Sequence, residues 1–218
     1  MKDMKVVFMG TPDFAVPSLE RLMVGGYQLT VYTQPDRPAG RSGTPVPSPV
    51  KRAARRQGLP VLQPRSLRRP EAQAELRALG PDLLVVAAYG LILPQEVLDI
   101  PAHGGLNVHP SLLPRYRGAS PIAGALLAGD AETGVCIMLM DAGMDTGPVL
   151  ARRTVPILPE DTTGSLTPRL AQLGAELLSE TVPKWVEGAL QPAPQDYAQA
   201  SYTRLLKKGD AEIGRAHV

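Results

Sequence analysis

The sequence predicts an α/β fold, a Rossmann-like, mostly parallel sheet with helices on both faces. Three observations predict it. Leu83–Ala88 is apolar at every position, the mark of a strand covered on both sides. Short strand-like runs alternate with segments of helical spacing along most of the chain, the pattern of right-handed β–α–β crossovers. The first such run, Lys5–Met9, ends in the turn Gly10-Thr11-Pro12-Asp13 and leads into a helical segment.

The elements follow in order. Phe14–Met23 places Phe14, Leu19, Leu22 and Met23 at helical spacing, and Gly25-Gly26 ends it. Leu29–Thr33 reads as a buried strand. Gln34–Pro49 is rich in Pro, Gly and Ser and has no apolar period. It is expected to be an exposed loop, long enough to suggest a function. Val50–Gln57 reads as helix, Pro60–Leu62 as a short strand and Glu71–Leu79 as helix. Leu106–His109 is a further strand, Pro110–Ser120 is irregular, and Pro121–Ala128 is a helix with proline in its first turn. Val135–Met140 and Val149–Val155 are strands, and Thr162 or Thr163 caps a long helix that ends near Gly188.

Past Gly188 the texture changes to the Pro-rich, polar Gln191–Asp196, read as a linker. The last seven residues, Glu212 to Val218, spell E-I-G-R-A-H-V, which GAG ATC GGA AGA GCA CAC GTC encodes. That string reads like a sequencing-library adapter. The expectation is a non-native tail over 212–218, with the natural reading frame continuing beyond about Ala211; resequencing the locus tests it.

A hydrophobic fraction of 44% and a charged fraction of 20% describe an ordinary globular chain, with a core built from aliphatic residues because aromatics are only 4%. No apolar stretch reaches membrane-spanning length. The lone Cys136 excludes an internal disulfide framework and fits a reducing compartment, so a cytoplasmic location is expected. Net charge is only +2, but Arg37, Arg41, Lys51, Arg52, Arg55, Arg56, Arg65, Arg68 and Arg69 crowd the segment from 37 to 69. Such a surface attracts phosphates or is simply solvated; composition leaves both open.

Parallel sheets bind ligands at the carboxyl ends of their strands, which directs attention to three segments. These are Ala88–Pro94, Asn107-Val108-His109 and Asp141–Gly147. Asn107 and His109 are two apart and project from one face of a strand. A carboxamide beside an imidazole provides an oxyanion donor and a proton-transfer group. Asp145, brought to that face by a loop bounded by Gly143 and Gly147, can orient the imidazole or hold a water. By spacing alone the plainer readings stand: a structural histidine, a capping asparagine, an Asx turn. Gly-x-Ser-x-Gly is absent, Gly10-Thr11-Pro12 lacks the dinucleotide fingerprint, and no metal-ligand cluster is visible.

N-V-H-P-S-L-L-P-R-Y-R-G-A-S-P-I, from Asn107 to Ile122, closely resembles the signature of the 10-formyltetrahydrofolate-dependent formyltransferase family. G-T-P-D-F (Gly10–Phe14), T-Q-P-D-R-P-A-G-R (Thr33–Arg41), P-S-P-V-K (Pro47–Lys51), A-Y-G-L-I-L-P (Ala88–Pro94) and G-D-A-E-T-G-V (Gly129–Val135) resemble the branch that formylates methionine on initiator tRNA. The resemblance runs in family order from Val6 to about Lys207. It implies the formyltransferase fold, 10-formyltetrahydrofolate as cosubstrate, initiator methionyl-tRNA as partner, and a role in translation initiation for a monomer without metal or membrane.

Site roles are carried over from the resemblance alone. The catalytic Asn, His and Asp fall on Asn107, His109 and Asp145. Folate binding falls on Ala88, Tyr89, Gly90, Leu91, Ile92 and Leu93, with Ser111, Leu112, Leu113 and Pro114 shaping the substrate entrance. The tRNA loop falls on Gln34–Pro49, with Arg41 entering the acceptor end and Arg37 and Lys51 at phosphates. Two departures stand out: Ser42-Gly43-Thr44 follow Arg41 where a lysine pair is common, and Tyr116 stands where Trp is common. The implied organisation is a catalytic domain over 1–189 and a linker over 190–211 leading to an OB-like domain missing from this sequence. Two alternatives remain at this point. One is a formyltransferase acting on a small amine such as glycinamide ribonucleotide or an amino sugar; the other is a catalytically silent Rossmann-like binding domain.

Overall fold

The computed structural model describes residues 3–39, 44–206 and 210. A seven-stranded sheet forms its centre, in the order β10-β9-β7-β6-β1-β2-β5. These strands are β1 (Lys5–Gly10), β2 (Gln28–Tyr32), β5 (Val61–Leu62), β6 (Leu83–Ala87), β7 (Gly105–His109), β9 (Glu132–Leu139) and β10 (Val149–Pro156). From β7 to β5 all neighbours pair in parallel; β9 runs antiparallel to both β7 and β10.

The period-2 geometry of a strand explains why the central runs are wholly apolar. Val6, Phe8, Leu83, Val85, Leu106 and Val108 point to one face, where α1 (Val16–Val24), α2 (Pro49–Arg56), α5 (Pro121–Leu127) and α6 (Thr163–Val186) supply Leu19, Leu22, Ala54, Ile122, Leu170 and Leu178. Val7, Met9, Leu84 and Val86 point to the other, covered by Leu76 of α3 (Pro70–Leu79) and Val97 of α4 (Gln95–Leu98). The predicted doubly covered sheet is present.

Local signals set most boundaries. The Ser48 hydroxyl caps α2 by accepting from Lys51 N–H, with Pro49 in the first turn. Gly80, at φ 59°, ends α3. Thr162, rather than Thr163, caps α6 in a reciprocal arrangement with Ser165.

Four features differ from expectation. Gln34–Pro49 is not all loop: β3 (Arg37–Ala39) and β4 (Thr44–Val46) form an antiparallel hairpin. Pro38 and Pro45 lie opposite each other, so the ladder tolerates two residues without N–H groups if the flanking pairs carry its bonds. The short helix α4 was unread. The irregular Pro110–Ser120 contains β8 (Arg117–Gly118), which pairs in parallel with the distant β11 (Tyr202–Thr203). The segment read as a linker packs on the domain as far as 203: Ala193 bridges Val149, and Gln195 is buried. Among the described residues no helix is long and apolar enough to cross a membrane.

Candidate active site

Alternation along β7 builds the first half of the site. Leu106 and Val108 enter the core under α6, so Asn107 and His109 face the opposite side, beyond the cover of α3 and α4. The acid arrives differently from the other two. Asp145 lies on the loop between the antiparallel strands β9 and β10, not at the end of a parallel strand. This loop leaves the sheet beside Gly105, whose carbonyl accepts from Met140 N–H at 2.7 Å, and then folds back.

The three side chains meet. Asn107 Nδ2 donates to Asp145 Oδ1 at 3.3 Å, and His109 Nδ1 lies 3.6 Å from the same oxygen. The latter separation allows charge attraction but is longer than a hydrogen bond. His109 Nε2 is 3.0 Å from Tyr116 O. A carbonyl only accepts, so Nε2 carries a hydrogen and Nδ1 is the nitrogen presented to the acid. Gly118 N–H donates to Asp145 Oδ2 at 2.8 Å. Both carboxylate oxygens are therefore held, while the Asp145 side chain keeps 17% exposure against 5% for His109.

Backbone strain collects here. Among the described residues, the non-glycine positions with left-handed φ are Ala88 (45°), Tyr116 (59°) and Asp145 (52°). All three border the site: Ala88 at its wall, Tyr116 at the imidazole, Asp145 at its centre. Strain of this kind persists only where surroundings over-determine it.

The site opens into a cleft of ≈ 900 Å³ lined by Phe14, Val86, Ile122, Met140 and Met144 and by the loop from Ala88 to Leu93. That size and apolar lining are typical of small-molecule sites. The loop is pinned through Tyr89 O, which accepts from Thr11 Oγ1 at 2.8 Å and from Gln34 Nε2 at 2.9 Å. The Tyr89 ring is buried in the second core.

Some expected residues lie elsewhere. Ser111, Leu112, Leu113 and Pro114 do not line the cleft. The chain turns inward after His109: Ser111 Oγ donates to Arg115 O, and Leu113 packs with Cys136, Met138 and Val149. Lys51, expected at phosphates, is 6% exposed. Its ammonium is held by Asp36 at 2.7 Å and Gln63 at 2.6 Å, because α2 buries that position along with Val50, Ala53 and Ala54. Arg37 is exposed in β3 and donates to Gln34 Oε1. Arg41 lies outside the described residues. Cys136 is buried, with its thiol pushed up to about 11 by burial, and is unsuited to be a nucleophile. No His, Cys, Asp and Glu group able to hold a metal occurs among the described residues.

Residues 4–182 match the family model described as "Formyl transferase". The chain belongs to the formyl transferase family. It is 57% identical over 212 residues to the methionyl-tRNA formyltransferase of Roseiflexus sp. (strain RS-1), covering 96% of this chain and 65% of that one. It is 52% identical over 214 residues to the protein of that name from Dehalococcoides mccartyi (strain ATCC BAA-2266 / KCTC 15142 / 195), covering 98% and 68%. The chain thus spans about two thirds of the length of these relatives. Phosphoribosylglycinamide formyltransferase from Bacillus Halodurans superposes with a TM-score of 0.70 at 25% identity, covering 85% of this chain and 96% of that one. An N-formyltransferase from Helicobacter canadensis, solved with folinic acid and dTDP-3-aminofucose, gives 0.74 at 21% identity, covering 96% and 73%, and shares the fold.

For this formyl transferase chain, sequence reasoning missed the supports of the site: Tyr116 O at the imidazole, Gly118 N–H and Gln195 at the acid, and Arg117 behind Gln195. No local signal announces them. Gln195 lies 50 residues from Asp145 and 78 from Arg117.

Proposed function

We propose that this chain transfers the formyl group of 10-formyltetrahydrofolate to the α-amine of methionine on initiator tRNA, as a cytoplasmic, monomeric enzyme that needs no metal. The observation that carries the proposal is the meeting of Asn107, His109 and Asp145 at the edge of an apolar cleft. Relatives above 50% identity that bear the methionyl-tRNA formyltransferase name support the choice of acceptor. The cleft fits the cosubstrate in kind: a flat ring system meets apolar walls, and its polar edge meets the backbone of 88–93.

An α-amine titrates at about 7.7–8, so a useful neutral fraction exists near neutral pH and the amine is its own nucleophile. It forms a C–N bond to the formyl carbon, whose oxygen gains negative charge. Asn107 has two amide hydrogens, one on Asp145 and a second for that oxygen; protonated His109 supplies another donor. Asp145 takes part in moving the proton lost by the amine toward the folate nitrogen, which accepts it as its bond to the formyl carbon breaks. One bond forms, one breaks, and one proton changes nitrogen.

Formyl transfer to charged initiator tRNA and to glycinamide ribonucleotide, measured side by side, tests the acceptor. Transfer to the tRNA alone is expected; preference for the small amine would overturn it. Arg41 and Arg37 are the residues proposed to meet the acceptor end. Arg41→Ala is expected to slow transfer to tRNA about tenfold or more while sparing a minimal amine acceptor. Equal effects on both would remove tRNA contact from its role.

A further inference from the structure

The side chain of Gln195 is saturated. Its amide nitrogen donates to Asp145 O at 2.9 Å and to Gly147 O at 2.6 Å. Its Oε1 accepts from Arg117 Nε at 3.1 Å and Nη2 at 2.8 Å. A carboxamide has two donors and two acceptor sites, so each is used and the orientation is fixed. Gln195 is buried, and Arg117 is fully buried.

Arg117 is itself held. Its Nη1 donates to Tyr202 OH at 3.2 Å, and its guanidinium lies 4.6 Å from the Tyr197 ring and 5.8 Å from the Tyr202 ring. Its backbone N–H donates to Ser201 O at 2.8 Å as β8 and β11 pair. The next residue, Gly118, holds Asp145 Oδ2. One device thus grips the acid at both ends: Gly118 at the carboxylate, and Gln195, held by Arg117, at the backbone carbonyl.

We infer that Gln195 and Arg117 are positioning residues for formyl transfer, which hold Asp145 in its left-handed conformation and at its distance from Asn107 and His109. The inference rests on the reading of Asp145 as catalytic. Neither residue touches the cleft, so neither acts on substrate directly.

Gln195→Glu tests it in the full chain. The substituted side chain keeps its length and strengthens the partner to Arg117, but it turns an acceptor toward two carbonyl oxygens. Expected are a fall in kcat of about tenfold to hundredfold and a folate KM within about threefold, with a lowered unfolding midpoint because two carbonyl oxygens lose their donor. Amide exchange at Gly118 should quicken, which a passive surface contact would not produce. In an Asp145→Asn background the same substitution should cost less than about twofold, because both act on one group.

Near-normal turnover of Asp145→Asn alone would sink the catalytic reading of the acid. A disabled Asp145→Asn together with unchanged kcat and Gly118 exchange in Gln195→Glu would overturn the positioning role alone. So would full additivity of the two. Should Gln195→Glu fail to fold, Arg117→Lys keeps a cation between the tyrosines while losing the two-point hold on Oε1. It is expected to lower kcat and quicken Gly118 exchange in the same sense, and unchanged values would overturn the role.

Discussion

Asp145 combines two demands on one residue: a carboxylate at the site and a φ of 52°. Aspartate and asparagine enter that region more readily than other side chains with a Cβ. Asp145→Asn therefore suits the backbone while removing the charge and one of the two acceptor oxygens. It is expected to lower turnover by about 10²–10⁴, the span of acid–base assistance, with little change in unfolding midpoint. Asn107→Ala removes an oxyanion donor and should cost about 10²–10³ in kcat. Near-normal single-turnover rates in both variants would contradict the assignment. At this scale the meeting of Asn107, His109 and Asp145 was legible from the sequence through a signature, whereas the burial of Lys51 was not. Val50, Ala53 and Ala54 mark an inner face of α2, and Lys51 beside them follows that face inward to Asp36. A positive charge in a basic segment gives no sign of its partner when that partner is an aspartate 15 residues away.

The hairpin at 37–46 shows how an element escapes a pattern. Its strands carry Pro38 and Pro45 and no apolar alternation, so nothing local distinguishes them from coil. The residue that leads into the hairpin, Asp36, is held by Lys51 and Gln63. Hydrogen bonds from Lys51, then from Gln63, hold the Asp36 carboxyl below the usual carboxylate range. A depressed carboxyl contributes stability that is complete above the unfolded value of about 4 and is lost as pH falls through the lower folded value. Hairpin exchange protection should therefore weaken on acidification below about pH 4. Asp36→Asn should flatten that dependence and weaken the protection already at neutral pH. A pH profile of Asp36→Asn identical to that of the unaltered protein would remove the ion pair from this account.

Over the whole molecule, the parallel sheet was legible because its strands, and its crossover helices other than α4, declare themselves within a short window. Contacts that join remote segments were not. The β8–β11 pairing links residues 85 and more apart in two-residue strands too short to show a period. Gly118 marks the junction: a Cβ there would lie 2.3 Å from Thr203 O, at a φ of 102°. Gly118→Ala is expected to detach β11 and loosen Asp145 together, lowering both the unfolding midpoint and kcat. A variant that keeps wild-type values in both would show that the close approach is not required.

The buttress behind Asp145 also has a consequence in time. Ribosomes release chains amino end first, and a domain begins to fold as it emerges. Every strand of the large sheet and the whole of α6 precede Gln195. A nascent chain can thus assemble its core while the carboxylate still lacks its backing, and on the proposed role of Asp145 its centre is complete only after residues 195–203 have cleared the exit tunnel. For this protein, shape comes before competence.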